Sequence, residues 1–188
     1  MKMADRNCKW GIEQYGAEKW NQRCDYEDDK ESRKERLFEE ASKSENMAKL
    51  FAIINNFFGE DMDFHYKVDV EKRKINIASG VDLSDRPFIR FAWKKFIIEN
   101  FGGGIGCSEP YCLDDRDYSK PVKEVYYWMD IQYSYKHIDG GSNGASIGTA
   151  YFKEDGKWTF VPDVDEVQKK KLHEPCCENC GVHTEEKI

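Results

Sequence analysis

The chain has 188 residues, 39% of them hydrophobic and 14% aromatic, which is enough to close one core and excludes wholesale disorder. Its 29 Lys+Arg against 36 Asp+Glu leave a net charge of −7, which argues against direct, unspecific binding to nucleic-acid phosphates. No apolar run reaches the length of a membrane span or follows the N-terminus as a secretory leader, so a soluble, cytoplasmic protein with no membrane partner is expected.

Residues 1–30 mix Trp10, Tyr15 and Trp20 with Cys8, Cys24 and the acidic run Asp25-Tyr26-Glu27-Asp28-Asp29; a short helix and a solvated linker are expected. From Glu31 to Phe58 there is no Gly or Pro, and Leu37, Phe38, Ala41, Met47, Leu50, Phe51, Ile54 and Phe57 recur at three- and four-residue intervals. This predicts one long helix, or two with a break near Ser42 to Ser44, ended by Gly59 as a C-terminal cap. Phe64, Tyr66, Val68 and Val70 then alternate with polar residues, and Ile75 and Ile77 resume the period after Glu71-Lys72-Arg73, so two antiparallel strands are expected.

Ser84-Asp85-Arg86-Pro87 offers a helix start, followed by Phe88, Ala92, Trp93, Phe96, Ile97 and Phe101 on one face and a stop at Gly102-Gly103-Gly104. Residues 102–120 read as an irregular loop holding Cys107 and Cys112. Val122 to His137 carries the strongest strand signal: Val125, Tyr127, Met129, Ile131, Tyr133, Tyr135 and His137 share one face. A glycine-rich turn at residues 139–144, a strand from Ala145 to Phe152, and a turn at Glu154-Asp155-Gly156 into Trp158 and Phe160 complete a three-stranded meander.

The expected class is therefore α+β: N-terminal helices packed on a curved antiparallel sheet made of a two-stranded hairpin, a helix and a three-stranded meander, with a C-terminal Cys/His tail. The expected organisation is a helical extension with an acidic linker (1–30), an α+β domain (31–165) and the tail (166–188). The element order over about residues 40–162 and the closing hairpin Phe152-Lys153-Glu154-Asp155-Gly156-Lys157-Trp158-Thr159-Phe160 resemble the nuclear-transport-factor-2-like and SnoaL-like cone fold. That group includes isomerases, hydratases and non-catalytic binding or dimerisation modules, so the resemblance implies an architecture and leaves function to the site.

The densest chemistry lies in the tail, where His173, Cys176, Cys177, Cys180 and His183 crowd together with a CxxC pair. Thiolates and imidazoles are the ligands zinc prefers, and a closed tetrahedral site needs four. Cys177 and Cys180 with Cys107 and Cys112 form the preferred set, a structural zinc that staples the tail to the long loop; Cys176, His173 and His183 are the alternatives. No HExxH or other open-site pattern points to catalytic zinc. The run Gly102-Gly103-Gly104-Ile105-Gly106 lacks the following Lys-Ser/Thr of a phosphate loop and reads as a helix stop.

Two further constellations carry functional expectations. Tyr133, Tyr135 and His137, with Asp139 nearby, could line a pocket with a general base, against the plainer reading of a half-buried sheet face. Asp25, Glu27, Asp28 and Asp29, with Asp114, Asp115 and Asp117, form carboxylate clusters beside aromatic residues, and Asp163-Val164-Asp165-Glu166 forms another; ordinary solvated surface is the plainer reading here. The expectation is a non-enzymatic acidic interaction protein with a protein partner. An inhibitor or regulator of a nucleic-acid-binding enzyme, of the kind phages and other mobile elements deploy inside a host cell, fits that size and charge. The alternative is a small cone-fold enzyme or small-molecule binder using the Tyr133, Tyr135 and His137 face.

Overall fold

The computed structural model describes residues 4–59, 61–81, 96–99, 103–107, 116–136 and 142–165. Among the described residues three helices come first, α1 (Lys9–Tyr15), α2 (Ala17–Ala41) and α3 (Ser44–Phe58). The described residues then form seven strands: β1 (Asp63–Asp69), β2 (Lys74–Val81), β3 (Phe96–Glu99), β4 (Gly104–Cys107), β5 (Val125–Lys136), β6 (Ser142–Lys153) and β7 (Trp158–Pro162). All pair antiparallel, in the order β1-β2-β3-β5-β6-β7, with β4 beside β5. The class is α+β, as expected.

The acidic run at residues 25–29 lies inside α2 and is not a linker. Its charges alternate at helical spacing, so that Lys30 reaches Glu27 at 2.9 Å, Arg33 reaches Asp29 at 3.6 Å and Lys34 reaches Glu31 at 3.1 Å. Pairs three and four residues apart support a helix whose apolar content is low. The boundary between extension and domain at residue 30 therefore falls in the middle of one continuous helix. Arg73, in the β1–β2 turn with a left-handed φ of 49°, donates to Glu31 and Glu35 at 2.8 Å each, which holds the turn against α2. Burial alone would raise the Glu31 carboxyl, but hydrogen bonds from Arg73 and Lys34 outweigh it and bring it below the ordinary range.

The break between α2 and α3 falls at Ser42 and Lys43, and Gly59 caps α3 in the left-handed region with φ 69°, both as expected. Leu37, Phe38 and Ala41 of α2 and Met47, Leu50, Ile54 and Phe58 of α3 face Val125, Tyr127, Met129 and Ile131 of β5 across a closed core. Those four β5 residues are each 0% exposed. Phe51 stacks on Phe64 of β1 at 4.5 Å while Phe57 meets Phe160 of β7 at 5.1 Å. Six strands laid flat would separate those edges by roughly 24 Å, yet the two phenylalanines of α3 are only about 9 Å apart along the helix. The sheet is therefore curled around α3.

Phe96–Glu99, expected as the end of a helix, is strand β3, paired with Ala78–Val81 on one side and Gln132–Tyr135 on the other. A short apolar run with adjacent isoleucines has no decisive period, and pairing with two neighbours settles it. The remainder of that expected helix, residues 84–95, lies outside the described residues. Gly104–Cys107, expected as loop, is strand β4, where Gly104 and Gly106 lie against the Trp128 and Tyr126 rings with no room for a Cβ.

The β5–β6 pairing shifts by one residue between Ile131 and Gln132, and the extra residue, Ile147, is turned fully into the core. Gly148 beside it has φ 154°, and a Cβ there would lie 2.5 Å from the Val161 carbonyl oxygen.

Candidate interaction face

The first half of α2 owes its place to a ladder of rings and guanidiniums. Gly16, with φ 78°, ends α1 and starts α2, turning the chain back on itself. Trp10 meets Tyr15 and Trp20 edge-on at 6.0 and 6.5 Å, and Tyr15 stacks on Trp20 at 6.2 Å. Gly11 lies directly against the Trp20 ring, where no side chain would fit. Arg23 continues the ladder over Trp20 at 5.3 Å and over Tyr118 at 5.9 Å. Tyr118 meets Tyr26 at 5.5 Å, and Arg116 covers Tyr26 at 5.0 Å while donating to its hydroxyl.

This ladder draws the segment at 116–118 onto α2 across about ninety residues of chain. Asp25, Glu27, Asp28 and Asp29 lie on α2, and Asp117 lies beside Arg116 and Tyr118. A cleft of about 660 Å³ runs between the start of α2 and this segment, lined by Tyr15, Glu18, Lys19, Gln22, Arg116 and Asp117, among others; the carboxylates at 25–29 lie further along α2 and do not line it. Asp25 is 68% exposed, Asp29 51% and Asp117 52%, whereas Asp28 is 15% and Glu27 22% exposed at the side chain.

Each of these carboxylates has a cationic partner, and Asp25 and Asp28 share one. Arg6 bridges Asp25 at 2.6 Å and Asp28 at 2.8 Å, Lys30 holds Glu27, Arg33 reaches Asp29, and Lys120 reaches Asp117 at 3.1 Å. Hydrogen bonds from the Ser119 hydroxyl and from Lys120 hold the Asp117 carboxyl below its usual range. The corner presents a mosaic of aromatic rings and ion pairs rather than bare negative charge. Trp, Tyr and Arg are the residues over-represented at binding hot spots, and Trp10 is 56% exposed with Ile12 beside it at 36%. The sequence pointed to the carboxylates and missed the ladder, although the Trp10, Tyr15 and Trp20 spacing was visible.

The other expected site residues separate into two groups. Tyr133 and Tyr135 lie in β5 opposite Ala145 and Asn143, with their side chains outside the described residues. His137, Asp114, Asp115, Cys112, His173, Cys176, Cys177, Cys180 and His183 also lie outside them, and Cys107 is placed only as the end of β4, opposite Val125. Among the described residues, no three His, Cys, Asp or Glu side chains form a metal-sized cluster. Cys8 and Cys24 are free thiols, and burial pushes the Cys24 thiol up, away from reactivity. No described helix is long and apolar enough to cross a membrane. No family model matches this chain, and no curated protein or solved structure matches it.

Proposed function

We propose that the protein is a non-enzymatic interaction module whose working surface is the corner formed by α1, the first half of α2 and residues 116–118. The observation that carries this reading is the ladder of Trp10, Trp20, Arg23, Tyr118 and Arg116, with Asp117 in the cleft beside it and Asp25 and Asp28 held by Arg6 on the same half of α2. The described part of the inward face of β5 supports it from the other side, because Val125, Tyr127, Met129 and Ile131 are fully buried in the apolar core with α2 packed on that strand. On this reading the chain follows the non-catalytic members of the cone-fold group. A net charge of −7 attracts a basic partner, and the nucleic-acid-binding surface of an enzyme, which the protein would block, is such a partner. Zinc held by Cys107, Cys112, Cys177 and Cys180 would be structural in this scheme.

Affinity capture with wild-type protein, against a Trp10→Ala/Asp29→Asn variant, tests the reading. A basic protein retained by the wild type, released as salt rises from 50 to 500 mM and lost with the variant is the expected result. Equal capture by both proteins, or capture indifferent to salt, would overturn it.

A further inference from the structure

Residues 4–15 hardly belong to the core. Only Gly11 among them is buried, and the apolar cluster begins at Tyr26. The segment lies on α2 through a small set of contacts. The Trp20 indole Nε1–H donates to the Asp5 carbonyl at 3.1 Å, the Ala4 N–H donates to Asp28 at 2.8 Å, and Arg6 clasps both Asp25 and Asp28. The fold-back passes through Gly16, whose φ of 78° suits glycine and which has no heavy atom within 4 Å of where a Cβ would be. The pivot is unpacked, and the clasp is half in solvent, with Arg6 41% exposed.

We propose that residues 4–15 are a displaceable strap, and that its Arg6 occupies the position a partner's arginine takes on Asp25 and Asp28. The inference rests on the interaction reading above and names what the face recognises: an arginine-bearing basic segment. Two carboxylates three residues apart on one helical turn hold one guanidinium through two of its nitrogens, a geometry an ammonium cannot reproduce. The strap is tied through a half-exposed guanidinium and through ring contacts to Trp20, and the guanidinium's part is of modest strength and open to a competing guanidinium. Displacement also uncovers Trp20, so an entering segment gains a ring surface together with the carboxylates.

A labelled octa-arginine peptide, with octa-lysine beside it, tests this on the full chain. Binding is read by anisotropy, and opening of the strap by hydrogen exchange at residues 4–15. Arg6→Ala is expected to bind octa-arginine about 2- to 5-fold more tightly than wild type, the range an exposed ion pair supplies. Octa-arginine is expected to bind better than octa-lysine, and saturating peptide to speed exchange of the wild-type strap. Asp25→Asn/Asp28→Asn, placed on Arg6→Ala, is expected to abolish the gain. Equal affinity for wild type and Arg6→Ala, with strap exchange unchanged by peptide, overturns the strap while leaving the face intact. Full affinity after the two Asp→Asn changes overturns the face itself.

Discussion

Tyr127 offers the sharpest quantitative test of the packing. Its ring lies between Phe38, at 5.7 Å, and Trp158, at 6.3 Å, and its hydroxyl accepts the Ile75 N–H at 2.8 Å, bridging β5 to β2 where those strands do not pair. Tyr127→Phe keeps the ring and removes the acceptor, which at neutral pH should cost about 1–3 kcal/mol of a total of roughly 5–15 kcal/mol. Burial pushes the phenol from an ordinary 10 up to about 12, an effect only partly offset by the Ile75 N–H. Below pH 10 the native and unfolded chains both keep the proton, and Tyr127 contributes its full stability. Above pH 10 the unfolded chain ionises first, so that contribution is lost between pH 10 and 12, about 2–3 kcal/mol in all and roughly half of it by pH 11. Phenylalanine has no such loss. Urea unfolding followed by tryptophan fluorescence at pH 7, 9, 10 and 11 should therefore show the deficit of the variant shrinking by about 1 kcal/mol between pH 9 and 11. Other titrations cancel in the difference between the two proteins. A deficit that stays constant over that interval, or is absent at pH 7, refutes the buried hydrogen-bonded hydroxyl.

Gly148→Ala should lower stability by about 1–3 kcal/mol, because the new Cβ would meet the Val161 carbonyl oxygen and the Phe160 ring; an unchanged thermal midpoint would count against the β6–β7 geometry. Arg33 donates through Nε and Nη2 to Glu154 and through Nη1 to the Val122 carbonyl at 2.7 Å, with its side chain 15% exposed. A double-mutant cycle of Arg33→Ala and Glu154→Gln should return a coupling of about 0.5–2 kcal/mol, and coupling near zero would mean the clasp is cosmetic. The Arg33 hydrogen bond lowers the Glu154 carboxyl, so this coupling should be full at neutral pH and fade as pH falls through the carboxylate range. If Cys107, Cys112, Cys177 and Cys180 hold zinc, metal analysis should return about one ion per chain and Cys177→Ser should lower the thermal midpoint; a metal-free chain of equal stability ends that proposal.

Period and punctuation made much of the fold legible. The alternation of Val125, Tyr127, Met129 and Ile131 gave the inner face of β5, and Gly59 gave the end of α3, because each signal is local and needs no partner. Phe96–Glu99 was illegible because its strand state depends on β2 and β5, which lie respectively before and after it in the chain. The acidic run of α2 carried its helical spacing in plain sight, and a reading by composition obscured it. At the candidate face the carboxylates could be named from sequence, but the cations that pair with them come from Arg6, Arg33 and Lys120, and only the fold shows which meets which.

The arginine clasps on α2 also constrain how this sequence can drift. Arg6 is matched to Asp25 and Asp28, Arg73 to Glu31 and Glu35, and Arg33 to Glu154, 121 residues away. A buried leucine can be exchanged for another apolar residue of similar volume at little cost, and the exposed Arg6 clasp tolerates change at one end, whereas losing Glu154 alone would leave the half-buried Arg33 without its main partner. Descendants of this chain would keep the apolar rhythm of the core with loose spelling, vary the exposed charges of α2 freely, and change Arg33 and Glu154 together.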